Sequence, residues 1–206
     1  MRLANLLSAR RRPPACRFRR SGWLYRPMPP QTPLEPTPEG LVPVGDGWFA
    51  VNARDARWYH AEGRTAYVDF EGESGFAQLG MNLSVLEPGE AMARYHWERD
   101  QEDFLVLAGE PVLVVEGEER PLRPWDFVHC PPGTAHVIVG AGRGPSLVLA
   151  VGAREHASRA DWGAYPFDAV AARHGASVER ETADAHEAYS GLTRRQPTAY
   201  RDGWLP

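Results

Sequence analysis

From residue 47 to residue 152 apolar and polar side chains alternate in short runs broken by turn residues. This period of two predicts strands over 47–52, 65–70, 76–87, 92–97, 103–108, 111–116, 119–123, 126–130, 135–140 and 145–152. Turn signals separate them at Glu71-Gly72, Pro88-Gly89, Ala108-Gly109-Glu110, Gly117-Glu118, Pro131-Pro132-Gly133 and Gly140-Ala141-Gly142. Many short strands at close, regular spacing point to an antiparallel sandwich or barrel. The runs 111–116 and 119–123, joined through Gly117-Glu118, read as a tight hairpin. Beyond residue 155 the pattern changes. Residues 166–174 fit a short helix, with Pro166 near its start, Asp168 in its first turn and Gly175 as its stop. A second short helix is expected over 182–190, ending at Gly191. The tail carries Tyr200, Trp204 and Leu205, which predicts that it packs on the barrel or on a second subunit.

Composition sharpens this picture at the N-terminus. All 23 basic residues are arginine, and the formal net charge is −4. That average conceals two parts: residues 1–27 hold eight arginines and no acid, whereas residues 28–206 hold 15 arginines and 27 acids. An acidic body repels a nucleic-acid backbone, so no nucleic-acid partner is expected. Residues 28–44 are rich in proline (Pro29, Pro30, Pro33, Pro36, Pro38, Pro43), which predicts an extended or disordered segment rather than sheet interior. The organisation read from the chain is a disordered basic and proline-rich extension over 1–40, a β-barrel over 41–155, and short helices with a packed tail over 156–206. Three readings of the basic segment compete: a start codon placed too early, with Met28 as the real start; a disordered basic arm; and a transit-type peptide.

No apolar run approaches the roughly 20 residues of a membrane span, so no membrane partner is expected and the expected location is cytoplasmic. Cys16 and Cys130 are too few and too far apart for a disulfide framework or a cysteine zinc module. Cys130, beside two prolines and far from any basic cluster, reads as a buried, inert thiol. No glycine-rich phosphate loop is present, which argues against hydride transfer from a nucleotide cofactor.

The chemistry concentrates in two stretches, 88–109 and 125–136. On a strand His96 and Glu98 point the same way and Trp97 the opposite way. Glu102 follows across a polar bend, at the mouth of the apolar run Phe104-Leu105-Val106-Leu107. His136 opens another apolar run just past Pro131-Pro132-Gly133. If these strands are neighbours in one barrel, two imidazoles and two carboxylates converge as a mixed nitrogen–oxygen set for a divalent metal. Glu98 has three readings: a ligand, a general base beside the metal, or an exposed partner of Arg94 or Arg99. His129, alternating with Phe127, has two: a contact inside the cavity or a satisfied structural histidine. One face of the strand bearing Met81, Asn82 and Ser84 is a candidate cavity wall. His60, His156, His174 and His186 have no motif context and read as ordinary histidines.

These stretches resemble the two motifs of the cupin superfamily. Gly89, His96, Glu102 and Gly109 fill the first, and Pro131, Gly133 and His136 fill the later half of the second. The resemblance covers about residues 76–152 and is similar to the small single-domain bacterial cupins. It departs at four places. Glu98 stands where the family has a second histidine, Trp125 where it has a glycine, and Gly140 where it has an asparagine. One extra residue separates Gly89 from His96.

The resemblance implies an all-β double-stranded β-helix, a jelly-roll barrel, with metal ligands on facing strands. The ligand set expected here is His96, Glu98, Glu102 and His136, with Glu98 also the candidate catalytic residue. Two histidines and two glutamates favour harder ions such as Mn(II) or Fe(II), with zinc and nickel left open. The function expected is a metal-dependent cupin acting on a small organic molecule inside the barrel, as dioxygenase, isomerase or lyase. The alternatives are a non-catalytic cupin binding a metal or small molecule, and a metal-free barrel kept for oligomer structure. A homodimer is expected, since such barrels commonly pair through sheet faces.

Overall fold

In the computed structural model, which describes residues 29–206, alternation sorts side chains between the inside of a barrel and two outer surfaces. The strands are β1 Leu34–Thr37, β2 Gly40–Pro43, β3 Trp58–Ala61, β4 Arg64–Val68, β5 Leu79–Leu86, β6 Trp97–Glu98 and β7 Glu102–Ala108. They continue as β8 Val112–Val115, β9 Glu118–Pro121, β10 Phe127–Cys130, β11 His136–Val139, β12 Ser146–Ala153, β13 Gly163–Ala164 and β14 Gln196–Thr198. Two short helices, α1 Ala169–Arg173 and α2 Ala185–Ala188, lie between β13 and β14. The strands form a seven-stranded sheet in the order β10-β7-β12-β5-β4-β3-β14, a three-stranded sheet β11-β8-β9, and two pairs, β1-β2 and β13-β6. Every strand pairing is antiparallel. This is the double-stranded β-helix expected from the sequence.

The barrel interior is filled by Leu86, Phe104, Leu113, Cys130, Ile138, Val148 and Ala150, contributed by both sheets. Their sequence neighbours face outward. Val85 and Leu147 join Ala56, Trp58, Ala66 and Val68 on the far side of the large sheet. Val114, Val137 and Val139 turn to the far side of the small sheet, where Tyr95, Ala171 and Ala176 cover them. A strand covered on both sides reads as continuously apolar, and β11 (His136–Val139) is buried at every position.

The C-terminal tail packs on its own large sheet: Trp204 and Tyr200 lie 5.0 and 6.0 Å from the fully buried Trp58 ring. The first expected helix is shorter than read, and Asp168 caps it rather than sitting in its first turn, accepting from the Val170 and Ala171 amides. Asp184 caps the second in the same way.

Four differences from the sequence reading have physical causes. Residues 34–43, expected to be extended or disordered rather than sheet interior, form the two-stranded β1-β2 ribbon, whose β1 is an edge strand and therefore tolerates proline. The basic segment 1–27 lies outside the described residues. Residues 47–52 form no strand; Trp48 makes only an isolated bridge to Gln31. The expected strand 92–97 is interrupted: Ala91 bridges Val139 and His96 bridges His136, so five steps on one side oppose three on the other. That bulge sends Tyr95 outward against Ala171 and Ala176. Finally, β3 and β14 are strands without a sequence signal, because each is short and lies at the end of the large sheet.

Two motif positions show why their residues are what they are. Gly109 has φ +79°, and a Cβ there would lie 2.6 Å from the Pro145 carbonyl oxygen. Gly140, where the family has asparagine, is just as constrained: its Cβ would lie 2.1 Å from the Glu87 carbonyl oxygen. Trp125, where the family has glycine, has a left-handed backbone (φ 76°) of the kind that favours glycine and leaves its ring exposed.

Candidate metal centre

Three elements bring the site together. Glu102 begins β7, and the alternation that places Phe104 and Val106 inside the barrel places Glu102 there too. His136 begins β11 and faces inward with Ile138. His96 closes the bulge and is held against His136 by reciprocal main-chain hydrogen bonds, His96 N–H to His136 O at 3.1 Å and His136 N–H to His96 O at 2.8 Å. The two rings therefore lie 5.1 Å apart, centroid to centroid.

One ligand atom from each of His96, Glu102 and His136 lies within 4.8 Å of the others. Glu102 Oε2 is 3.4 Å from His96 Nε2 and 3.3 Å from His136 Nε2. On the opposite side of each ring Nδ1–H donates to a main-chain carbonyl, Arg94 O at 2.8 Å for His96 and Thr134 O at 3.0 Å for His136. Such outer contacts fix the ring and leave Nε2 as the donor atom of the neutral imidazole.

The donor set fits a divalent ion. Glu102 Oε2 and His136 Nε2 are buried and have no hydrogen-bond partner, although they lie only 3.3 Å apart. Buried polar atoms are rarely left unpaired, and two of them sharing one small space are what an ion would satisfy. Without an ion, burial pulls both imidazoles towards the neutral form. For His96 the Glu102 and Glu98 carboxylates overcome that pull and raise its pKa to about 10. For His136 the Cys130 and Glu102 side chains do the same and raise it to about 9. Burial pushes Glu102 up, but its two imidazole neighbours outweigh it and hold the carboxyl well below the usual range.

Glu98 lies on β6 with its Oε1 3.5 Å from His96 Nε2, outside the compact set of three. It pairs with neither arginine considered from the sequence. Arg94 reaches instead to the carbonyls of Ala188, Gly175 and Ser177, and Arg99 pairs with Asp161 at 3.2 Å. His129 faces outward: it is exposed and bonds Asp103 at 2.7 Å, while its neighbours Val128 and Cys130 turn inward. Cys130 is buried in the barrel core.

The set opens into a cavity of about 220 Å³. Asn82, Ser84, Tyr67 and Arg195 supply its polar wall, and Phe104, Ile138 and Ala150 part of its apolar one. Of the face left undecided in the sequence, Asn82 and Ser84 line the cavity and Met81 is exposed. Tyr67 was legible in principle, since Ala66 and Val68 pack on the outer side and its position alternates with theirs. Arg195 carries no local signal; only the path of the chain after α2 brings it in. A wider open groove of about 710 Å³, between Arg94 and the segment 177–190, shares no residue with the ligand set.

A double-stranded β-helix with histidine and glutamate donors on facing strands defines a class of small barrel proteins. Residues 82–152 match the family profile of the Cupin domain, and the chain therefore carries a cupin domain over those residues. No curated protein sequence matches the chain. Among solved structures it is similar to a putative sugar phosphate isomerase from Acidithiobacillus ferrooxidans, at 29% identity and TM-score 0.41 over 44% of this chain and 59% of that one. It is also similar to a cupin-superfamily sugar phosphate isomerase from Silicibacter pomeroyi, at 31% identity and TM-score 0.40 over 50% and 62%. A third is the polyketide cyclase RemF from Streptomyces resistomycificus, at 17% identity and TM-score 0.45 over 52% and 79%. The chain thus spans about 60% of the length of the two isomerases.

Proposed function

We propose that this protein is a metal-dependent cupin that acts on a small organic molecule held in the barrel cavity. The observation that carries the reading is the pair of buried, unpartnered ligand atoms, Glu102 Oε2 and His136 Nε2, beside His96 at the base of a partly polar cavity. His96, Glu102 and His136 would hold the ion. Bound there, a divalent ion supplies Lewis-acid polarisation of a substrate oxygen, or a centre for oxygen chemistry. Glu98 stands beside the set without belonging to it, half-buried and in contact with His96. Its carboxylate is placed to take a proton from a bound substrate and return it, which suits isomerase and lyase chemistry as well as oxygenation. Tyr67, Asn82 and Ser84 orient the substrate, and Phe104 and Ile138 exclude water from one side of it.

Metal analysis of the purified full chain tests this. One equivalent of Mn, Fe, Zn or Ni per chain, lost in His136→Ala, is the expected result. A wild-type protein that neither carries nor takes up stoichiometric metal overturns it. The second reading, a barrel that binds a small molecule without converting it, shares the same site. It is separated by turnover: product formed by the wild type and not by Glu98→Gln excludes it.

A further inference from the structure

Arg195 is the cation on the wall of the cavity, and it comes from outside the cupin-matched residues 82–152. It immediately precedes β14, whose pairing with β3 brings this stretch of chain back to the large sheet. Its guanidinium lies over the Tyr67 ring at 5.4 Å. Nε–H donates to Thr65 O at 2.7 Å and Nη2 to Met92 O at 3.3 Å. Those contacts fix the group firmly and use only part of its five N–H donors.

The place of these spare donors on the cavity wall is the informative feature. Arg99, Arg120, Arg123, Arg154, Arg159 and Arg173 each have an acid within ion-pair distance. Arg195, like the half-buried Arg57, Arg64 and Arg94, has none among the described residues, but of these it alone lines the cavity beside His96, Glu102 and His136. Its hydrogen bonds go to neutral carbonyls, so its positive charge has no directly paired anion. Burial and the nearby Arg64 lower its pKa and outweigh the opposing pull of Tyr67, Tyr189 and Glu90. A purely structural brace across Thr65 and Met92 would not require the charge to face a cavity.

We propose that Arg195 sets the specificity of the cavity by receiving the carboxylate of a small organic acid whose other end meets the metal set. This rests on the reading of the cavity as a small-molecule site. Charge selects a carboxylate over a phosphate monoester. A divalent ion is balanced by Glu102 and Glu98, which leaves Arg195 with one positive charge. A monocarboxylate cancels it one for one, whereas a phosphate dianion overshoots. Planar, two-oxygen geometry also suits the guanidinium fork. Size agrees: about 220 Å³ is room for roughly seven waters' worth of liquid, a molecule of modest length.

The test uses the full chain and three probes: 4-hydroxybutanoate, its uncharged amide, and glycerol 3-phosphate. Calorimetry on the wild type is expected to show the acid binding at least about tenfold tighter than the amide and tighter than the phosphate. Arg195→Gln is expected to bring the acid-to-amide ratio below about two, and Arg195→Lys to retain part of it. Circular dichroism and Mn(II) stoichiometry should match the wild type in both variants. Three outcomes overturn the proposal: an acid that does not outbind its amide on the wild type, a preference that survives in Arg195→Gln, or tighter binding of glycerol 3-phosphate. If Arg195→Gln does not fold, the lysine variant and chelator-stripped wild type decide it, since the acid preference should persist without metal. Absence of Mn(II) binding with that preference intact would overturn the metal reading alone.

Discussion

Histidine meets carboxylate at two kinds of place in this molecule. At the surface and in the loops the partners fit each other: His156 bonds Asp100 at 2.7 Å through Nδ1, with its amide adding a second bond at 2.7 Å, and His129 bonds Asp103 at 2.7 Å. In the barrel the same residue types stand 3.3–3.5 Å apart, and Glu102 Oε2 and His136 Nε2 bond to nothing. The outer pairs are closed and complete. The inner set is spaced for a third party, with each ring braced from behind by a carbonyl. Chemical identity is therefore a poor guide to role; spacing and satisfaction separate a structural pair from a ligand set.

Removing the third party's seat should have the largest effect. His136→Ala is expected to lower metal affinity by more than about 100-fold, beyond what losing an outer contact costs, as read by metal titration. Retention of wild-type affinity would erase the distinction between inner set and outer pairs.

Next comes pH. In metal-free protein His96 and His136 have pKa values raised from 6.5 to about 10 and about 9. Raised histidines contribute stability that is full below about pH 6.5 and is lost as pH rises through 9 to 10. Metal-free protein should therefore melt at progressively lower temperature over that window. Metal-loaded protein should not, because the ion takes the place of the protons. Metal uptake at neutral pH should accordingly release protons, measurable by calorimetry in buffers of different ionisation enthalpy.

At the outer pair the sign reverses. Burial raises the Asp100 pKa, but the His156 bonds outweigh it and depress it. Its contribution is present above the ordinary carboxylate range and is lost as pH falls through the lower folded value. Asp100→Asn should cost about 2 kcal/mol in denaturant melts at neutral pH and leave metal stoichiometry untouched. The smallest effect on metal binding is expected at Glu98, which touches the set without completing it. Glu98→Gln should weaken metal binding by less than about tenfold while removing turnover, read by metal titration and product assay.

Much of the barrel was legible. β7, β8, β10, β11 and β12 follow alternating or continuous apolar runs bounded by glycine and proline, and the structure places them within a few residues of the expected positions. His96, Glu102 and His136 were legible because their spacing to glycine and proline turns is distinctive. What was missed depends on tertiary structure. The bulge before His96 breaks a pattern that continues unbroken in sequence, since Met92 and Tyr95 are apolar on either side of it. The direction of His129 follows from the register Val128↔Phe104, which places Val128 and Cys130 inside, and alternation alone does not tell which face is in. Arg195 enters the cavity only through the return of β14 to β3, a contact across more than a hundred residues.

The reciprocal hydrogen bonds between His96 and His136 also have a bearing on how the barrel is assembled. They make the spacing of the two imidazoles a property of strand alignment rather than of side-chain choice. A slip of one residue between the two segments turns one ring away from the other. Such a molecule would no longer hold the proposed donor set, so on the reading proposed above capture of an ion would discriminate between correctly closed and slipped chains.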